Sequence, residues 1–268
     1  MNYQVLVLDL DGTLTNSDKV ITKKTYDAIM TIQEKGVKVV LASGRPTYGI
    51  MPLAKELKLA QYGGYILSFN GGKVINCKDE TILFEKTLPE SELHRVFDLA
   101  KKYEVNILSY EDDLIITETA ADPYVRLEAK INHLNIKQVV HLNEYIYFPV
   151  VKCIMLGDGE RMAEIEPNVR KELGELFSVY RSEPFFLEIM PEGIDKAKSL
   201  ERLLTNLNLG PEVMVACGDG YNDISMIQYA GLGVAMENAN DTVKKVADFI
   251  TKSNDEDGIS YVIEKYFL

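Results

Sequence analysis

The chain has 268 residues, 46% apolar and 26% charged, with a formal net charge of -12. That is material for one large domain or two modest ones with a real core. The acidic balance argues against nucleic acid, whose binders carry a basic stripe, and no apolar run approaches the roughly 20 residues that span a bilayer. The start reads directly as a strand, without a basic region and cleavage site, so a cytoplasmic protein with no membrane partner is expected. Cys77, Cys153 and Cys217 lie far apart and read as reduced, structural thiols. His94, His133 and His141 are equally scattered and form no metal-ligand pattern.

In chain order, Val5, Leu6, Val7 and Leu8 form an apolar run that suits a strand buried on both faces. It ends on Asp9, Asp11 and Gly12. Residues i and i+2 share a face, so the two carboxylates can converge where the glycine turns the chain away. A helix follows, capped by Thr22 and closed by Gly36. A second buried strand over 37–42 ends on Ser43, Gly44, Arg45 and Pro46. The next helix contains Pro52, which predicts a kink or a late start. A third strand over 65–69 ends on Asn70, Gly71 and Gly72. This alternation predicts parallel βαβ units.

Near residue 81 the pattern changes. A helix over 89–103 precedes two short strands around Glu111, Asp112 and Asp113. A helix over 122–133, a strand over 149–156, a helix over 161–173 and strands over 177–181 and 185–189 follow. Strands joined closely to strands suggest a small α+β domain. The first style resumes at Gly193: a helix over 196–206, then a buried strand over 213–217 ending on Gly218, Asp219, Gly220, Tyr221, Asn222 and Asp223. The expected fold is α/β: a Rossmann-like, doubly wound parallel sheet core over 1–82 and 187–268, with an α+β cap domain inserted at 83–186.

Parallel strands end on one edge, so Asp9, Asp11, Ser43, Asp219 and Asp223 should share a crevice. Four carboxylates there require a cation. Oxygen ligands without histidine or thiolate point to Mg2+. Ser43, the opened backbone amides and Lys196 at a helix start make an oxyanion cradle. Four acids, one lysine and a divalent ion leave a site of about -1 in formal charges. A phosphate dianion is then accepted only if Asp11 is protonated or Arg45 contributes, and a protonated Asp11 is also what a general acid requires.

The segments Asp9-Leu10-Asp11-Gly12-Thr13, Ser43-Gly44-Arg45-Pro46, Lys196 and Gly218-Asp219-Gly220-Tyr221-Asn222-Asp223 resemble the four ordered motifs of the haloacid dehalogenase superfamily. Asn70-Gly71-Gly72 and Pro191-Glu192-Gly193-Ile194-Asp195-Lys196 extend the resemblance to its Cof-type phosphatases, which carry a large α/β cap. It covers essentially the whole chain. The resemblance implies that Asp9 attacks phosphorus to form an aspartyl-phosphate, while Asp11 protonates the leaving oxygen. It implies that Mg2+ binds the Asp9 and Asp219 carboxylates and the Asp11 backbone carbonyl, with Asp223 and Asn222 in support. Ser43 and Lys196 hold phosphoryl oxygens. Gly12, Gly44, Arg45, Asn70, Gly71 and Asn222 are the further substrate-side candidates. Two departures stand outside these roles: Asp195, where a small hydroxyl residue is common, and Pro52.

The function expected is Mg2+-dependent hydrolysis of a small phosphorylated metabolite, such as a sugar phosphate, by a monomer or weak dimer. A phosphomutase and a catalytically weak phosphometabolite-binding protein are the alternatives.

Overall fold

The computed structural model describes residues 3–268. The chain folds as two units. Residues up to Gly44, with Ile50–Phe84 and Asp195–Leu268, make the first; Arg45–Gly49 and Glu85–Ile194 make the second. Strands β1 (Val5–Leu8), β2 (Lys38–Ala42), β3 (Tyr65–Ser68), β4 (Lys73–Asn76) and β5 (Ile82–Glu85) come first. Then come β6 (Asn106–Glu111), β7 (Leu114–Thr117), β8 (Asn135–Gln138), β9 (Cys153–Leu156), β10 (Phe177–Glu183) and β11 (Phe186–Pro191). The chain ends with β12 (Met214–Gly218), β13 (Leu232–Ala235) and β14 (Phe249–Ile250).

In the first unit the sheet order is β14-β13-β12-β1-β2-β3-β4-β5. Strand β1 lies between β12 and β2, parallel to both, with Leu8 level with Cys217 on one side and Leu41 on the other. All four β1 residues are fully buried, as a central parallel strand requires. Alternate residues feed two separate cores. Leu6, Leu8, Leu41, Val215 and Cys217 pack on one face. Val5, Val7, Val40, Ala42 and Ala216 pack on the other, against Leu200, Leu203 and Leu204 of the helix Lys196–Asn206. That helix is capped by Asp195, whose carboxylate accepts the Lys198 N–H at 3.1 Å.

The second unit is a sheet in the order β10-β11-β9-β6-β7-β8, antiparallel except for the β7–β8 pair. The helices Leu93–Lys102 and Gly159–Leu173 contribute Val96, Phe97, Met162 and Ile165 to its apolar core. A Rossmann-like α/β core carrying an α+β insertion is therefore the architecture of this chain.

Several elements differ from the sequence reading. The helix Thr47–Glu56 starts at Thr47 and contains Pro52, so the late start does not occur. Pro52 is exposed there, where water can serve the carbonyl its missing N–H leaves unpaired. Strands β4, β5 and β8 were not expected. All three cysteines are free; Cys153 and Cys217 are buried, and burial pushes the Cys77 and Cys153 thiols up to about 12. Among the described residues no helix is long and apolar enough to cross a membrane.

Candidate active site

Asp9 follows β1 directly, at the level where β2 reaches Ala42 and β12 reaches Gly218. By alternation its side chain falls on the face of Val5 and Val7, the face covered by the helix that Lys196 begins. The Lys196 ammonium donates to Asp9 Oδ1 at 2.8 Å, to Asp223 Oδ1 at 2.6 Å and to the Ala42 carbonyl at 2.9 Å. An ammonium has three protons, and all are used in these contacts. The lysine thereby ties the two aspartates to the end of β2.

Asp223 sits in a short turn and is fully buried. Its Oδ2 accepts the backbone N–H groups of Asp219 and Gly220 at 3.0 and 2.9 Å. The side chain thereby folds the strand-end loop around itself and fixes where Asp219 lies. Asp219 Oδ1 accepts the Thr13 hydroxyl at 2.7 Å. A Cβ at Gly12, whose φ is +84°, would stand 2.4 Å from Asp219 Oδ2. Only glycine permits both that conformation and that approach.

One carboxylate oxygen each from Asp9, Asp219 and Asp223 lie within 4.8 Å of one another. Burial raises the Asp9 carboxyl well above the usual range and Asp223 adds to this, against the pull of Lys196. Burial also pushes Asp219 up to about 6, opposed by the Thr13 hydroxyl and reinforced by Asp223. Burial by itself would lower the Lys196 ammonium, but Asp223 and Asp9 together raise it. The trio is short of positive charge, and its oxygen donors fit a hard divalent cation such as Mg2+.

The Asp11 carboxylate is outside that trio. It pairs with Lys19 at 2.9 Å, both side chains being partly exposed. Lys19 was missed in the sequence because it belongs to no motif; the turn Asn16–Lys19, closed by the Lys19 N–H to the Asn16 carbonyl, brings it back. Thr13 belonged to the quoted motif but had been given no role.

Ser43 is buried after β2, and its carbonyl accepts the Asn70 N–H at 2.9 Å. Asn70, at φ 54°, accepts the Asn222 amide at 3.0 Å and lies against Gly44. Asn70, Gly44 and Asn222 are therefore neighbours. Gly71 instead approaches the helix Lys196–Asn206, where its carbonyl accepts the Ser199 hydroxyl at 2.7 Å. Arg45 groups with the second unit and donates to the Gly49 carbonyl at 3.4 Å.

Strand-end aspartates gathered around a buried lysine, on a doubly wound sheet with an inserted domain, define a hydrolase of the phosphoryl-transfer type. A family model for haloacid dehalogenase-like hydrolases matches residues 6–263, and the chain belongs to that family. A haloacid dehalogenase-like hydrolase from Bacteroides thetaiotaomicron, of known crystal structure, is 46% identical; the match covers 98% of this chain and 99% of that one, with a TM-score of 0.96. The subclass IIB sugar phosphatase BT4131 superposes with a TM-score of 0.81 at 26% identity, over 97% and 98% of the two chains. The 5-amino-6-(5-phospho-D-ribitylamino)uracil phosphatase YcsE of Bacillus subtilis is 28% identical over 268 residues, covering 100% of this chain and 97% of its own.

Proposed function

We propose that this chain is a Mg2+-dependent phosphomonoesterase acting on a small phosphorylated metabolite, with a phosphorylated sugar or polyol as the preferred class. The observation that carries the reading is the convergence of Asp9, Asp219 and Asp223 within 4.8 Å around a buried lysine. The two named relatives, a sugar phosphatase and a phosphoribitylamino-uracil phosphatase, support the substrate class.

Lys196 engages Asp9 Oδ1, which leaves Oδ2 to attack phosphorus and form an aspartyl-phosphate. The lysine aims the nucleophile and favours its anionic form against the burial that opposes it. Asp11 protonates the leaving oxygen and then takes a proton from the water that hydrolyses the intermediate. Asp9 and Asp219 would hold Mg2+, which offsets charge on the phosphoryl oxygens. Asp223, whose oxygens already serve Lys196 and two amides, supports the site from behind. Ser43 and the glycine-opened amides bind phosphoryl oxygens.

Lys19 changes the charge argument. With two lysines beside four carboxylates, a divalent ion brings the site to formal neutrality, not to -1. Charge balance alone therefore gives no reason for Asp11 to be protonated; that proton must be justified by the chemistry of the leaving group. The test is hydrolysis of 4-nitrophenyl phosphate with Mg2+. Asp9→Asn should reduce it to background, and a chelator should abolish it until Mg2+ is restored. Undiminished turnover by the variant would refute the assignment of Asp9.

A further inference from the structure

The general acid assigned above lies on a connection with almost no regular structure. Between β1 and the helix Lys23–Glu34 only an isolated bridge joins Asp11 to Thr15. Leu10 and Leu14 are buried in the core and the Thr13, Leu14 and Thr15 N–H groups bond back to Leu10 and Asp9, but the remaining polar groups of the connection must be held from elsewhere in the chain. Side chains from one C-terminal stretch hold it at four points. Asn238 Nδ2 donates to the Gly12 carbonyl at 2.8 Å, and Asn254 Nδ2 donates to the Thr15 carbonyl at 3.0 Å. Asp255 accepts both the N–H and the hydroxyl of Ser17, at 2.8 and 2.6 Å. Asp257 accepts the Thr22 hydroxyl at 2.5 Å. The two asparagines are themselves joined, since Asn238 Oδ1 accepts the Asn254 N–H at 3.1 Å.

The first contact is the telling one. The Gly12 carbonyl belongs to the Gly12–Thr13 peptide, one residue beyond Asp11, and leads into Thr13, which holds Asp219. Fixing that peptide fixes the turn from which the Asp11 side chain projects. We propose that Asn238 and Asn254 are positioning residues for Asp11: through the Gly12 and Thr15 carbonyls they hold the acid where it can protonate the leaving oxygen. This rests on the phosphatase reading above. Asn238 is exposed and Asn254 half-buried, so they contribute little to the fold, while misplacing a catalytic group by about 1 Å can cost about 100-fold in rate.

A positioned acid matters most when the leaving group is poor. The experiment compares kcat/KM for phenyl phosphate and 4-nitrophenyl phosphate, which share the aryl phosphate group but differ, through the para-nitro group, in leaving-group acidity. Asn238→Ala and Asn254→Ala should each lose about 10- to 100-fold on phenyl phosphate. On 4-nitrophenyl phosphate the loss should stay within about threefold, because that leaving group needs little protonation. Asp11→Asn should show the same bias more strongly. Melting temperatures of both asparagine variants should stay close to wild type. Equal losses on the two esters, no loss on either, or losses that follow a fall in melting temperature would overturn the proposal. Asp9→Asn serves as the control: if it still hydrolyses both esters, the phosphatase reading itself has failed, whatever the asparagines do.

Discussion

Removing the Asp219 charge should strengthen the metal-free fold while abolishing its response to Mg2+. The Asp219 carboxyl is pushed from 3.8 to about 6, first by burial. Each pKa unit corresponds to about 1.4 kcal/mol, so the ionised form costs on the order of 3 kcal/mol; residual solvation brings the expected figure to about 1–3 kcal/mol. The folded pKa lies above the unfolded one. The stabilising contribution is therefore complete below pH about 4 and is lost as the pH rises through about 6. At pH 7.5 Asp219→Asn removes that penalty and keeps an oxygen for the Thr13 hydroxyl. The melting temperature in chelator should rise by about 3–10 °C at pH 7.5 and hardly change at pH 4. Added Mg2+ should raise the wild-type value, by binding the folded state alone, and leave the variant unmoved. A lower melting temperature for the variant in chelator at pH 7.5, or a Mg2+ shift equal to wild type, would refute the reasoning.

Lys196→Met strands Asp9 and Asp223 in the interior without their shared cation and should cost about 3–5 kcal/mol in urea unfolding at neutral pH. Gly12→Ala forces a Cβ to 2.4 Å from Asp219 Oδ2 at a positive φ, so Mg2+ titrations of both activity and melting should flatten. In the second unit, Lys152 and Glu188 form a buried pair at 3.1 Å. Lys152→Met alone should destabilise by about 3–5 kcal/mol, and adding Glu188→Gln should recover part of that, since the amide still accepts from Tyr180 without a buried charge while Glu128 still lacks the lysine. Equal stability of the single and double variants would contradict this account of the pair.

The central strands were readable because a parallel strand covered on both faces must be continuously apolar, as β1 and β12 are and as β2 is after Lys38. Strand β4 was not, since Lys73, Ile75 and Asn76 are half exposed and follow a glycine turn that reads as loop. Strand β8, Asn-Ile-Lys-Gln, is a polar edge that pairs, among the described residues, with β7 alone. Its place comes from pairing, which the local sequence does not encode. The same division holds at the site. Aspartates at the ends of buried strands stand out because nothing but function or a turn puts them there. Lys19, Asn238 and Asn254 are polar residues in loops, the commonest place for them, and only the three-dimensional path of the chain brings them to Asp11, Gly12 and Thr15. Lys196 was found from charge need, yet the partners it takes follow from the register of β1 and β2 with its helix.

The account turns on Asp9 carrying the phosphoryl group. Acid quenching during turnover of phenyl phosphate with Mg2+, followed by borohydride reduction and peptide mass spectrometry, reads this directly, because an acyl phosphate is reduced where a free carboxylate is not. The expected result is conversion of Asp9 to homoserine, dependent on substrate and absent without it. Turnover with Asp9 unmodified and the reduction falling on another carboxylate would contradict the account.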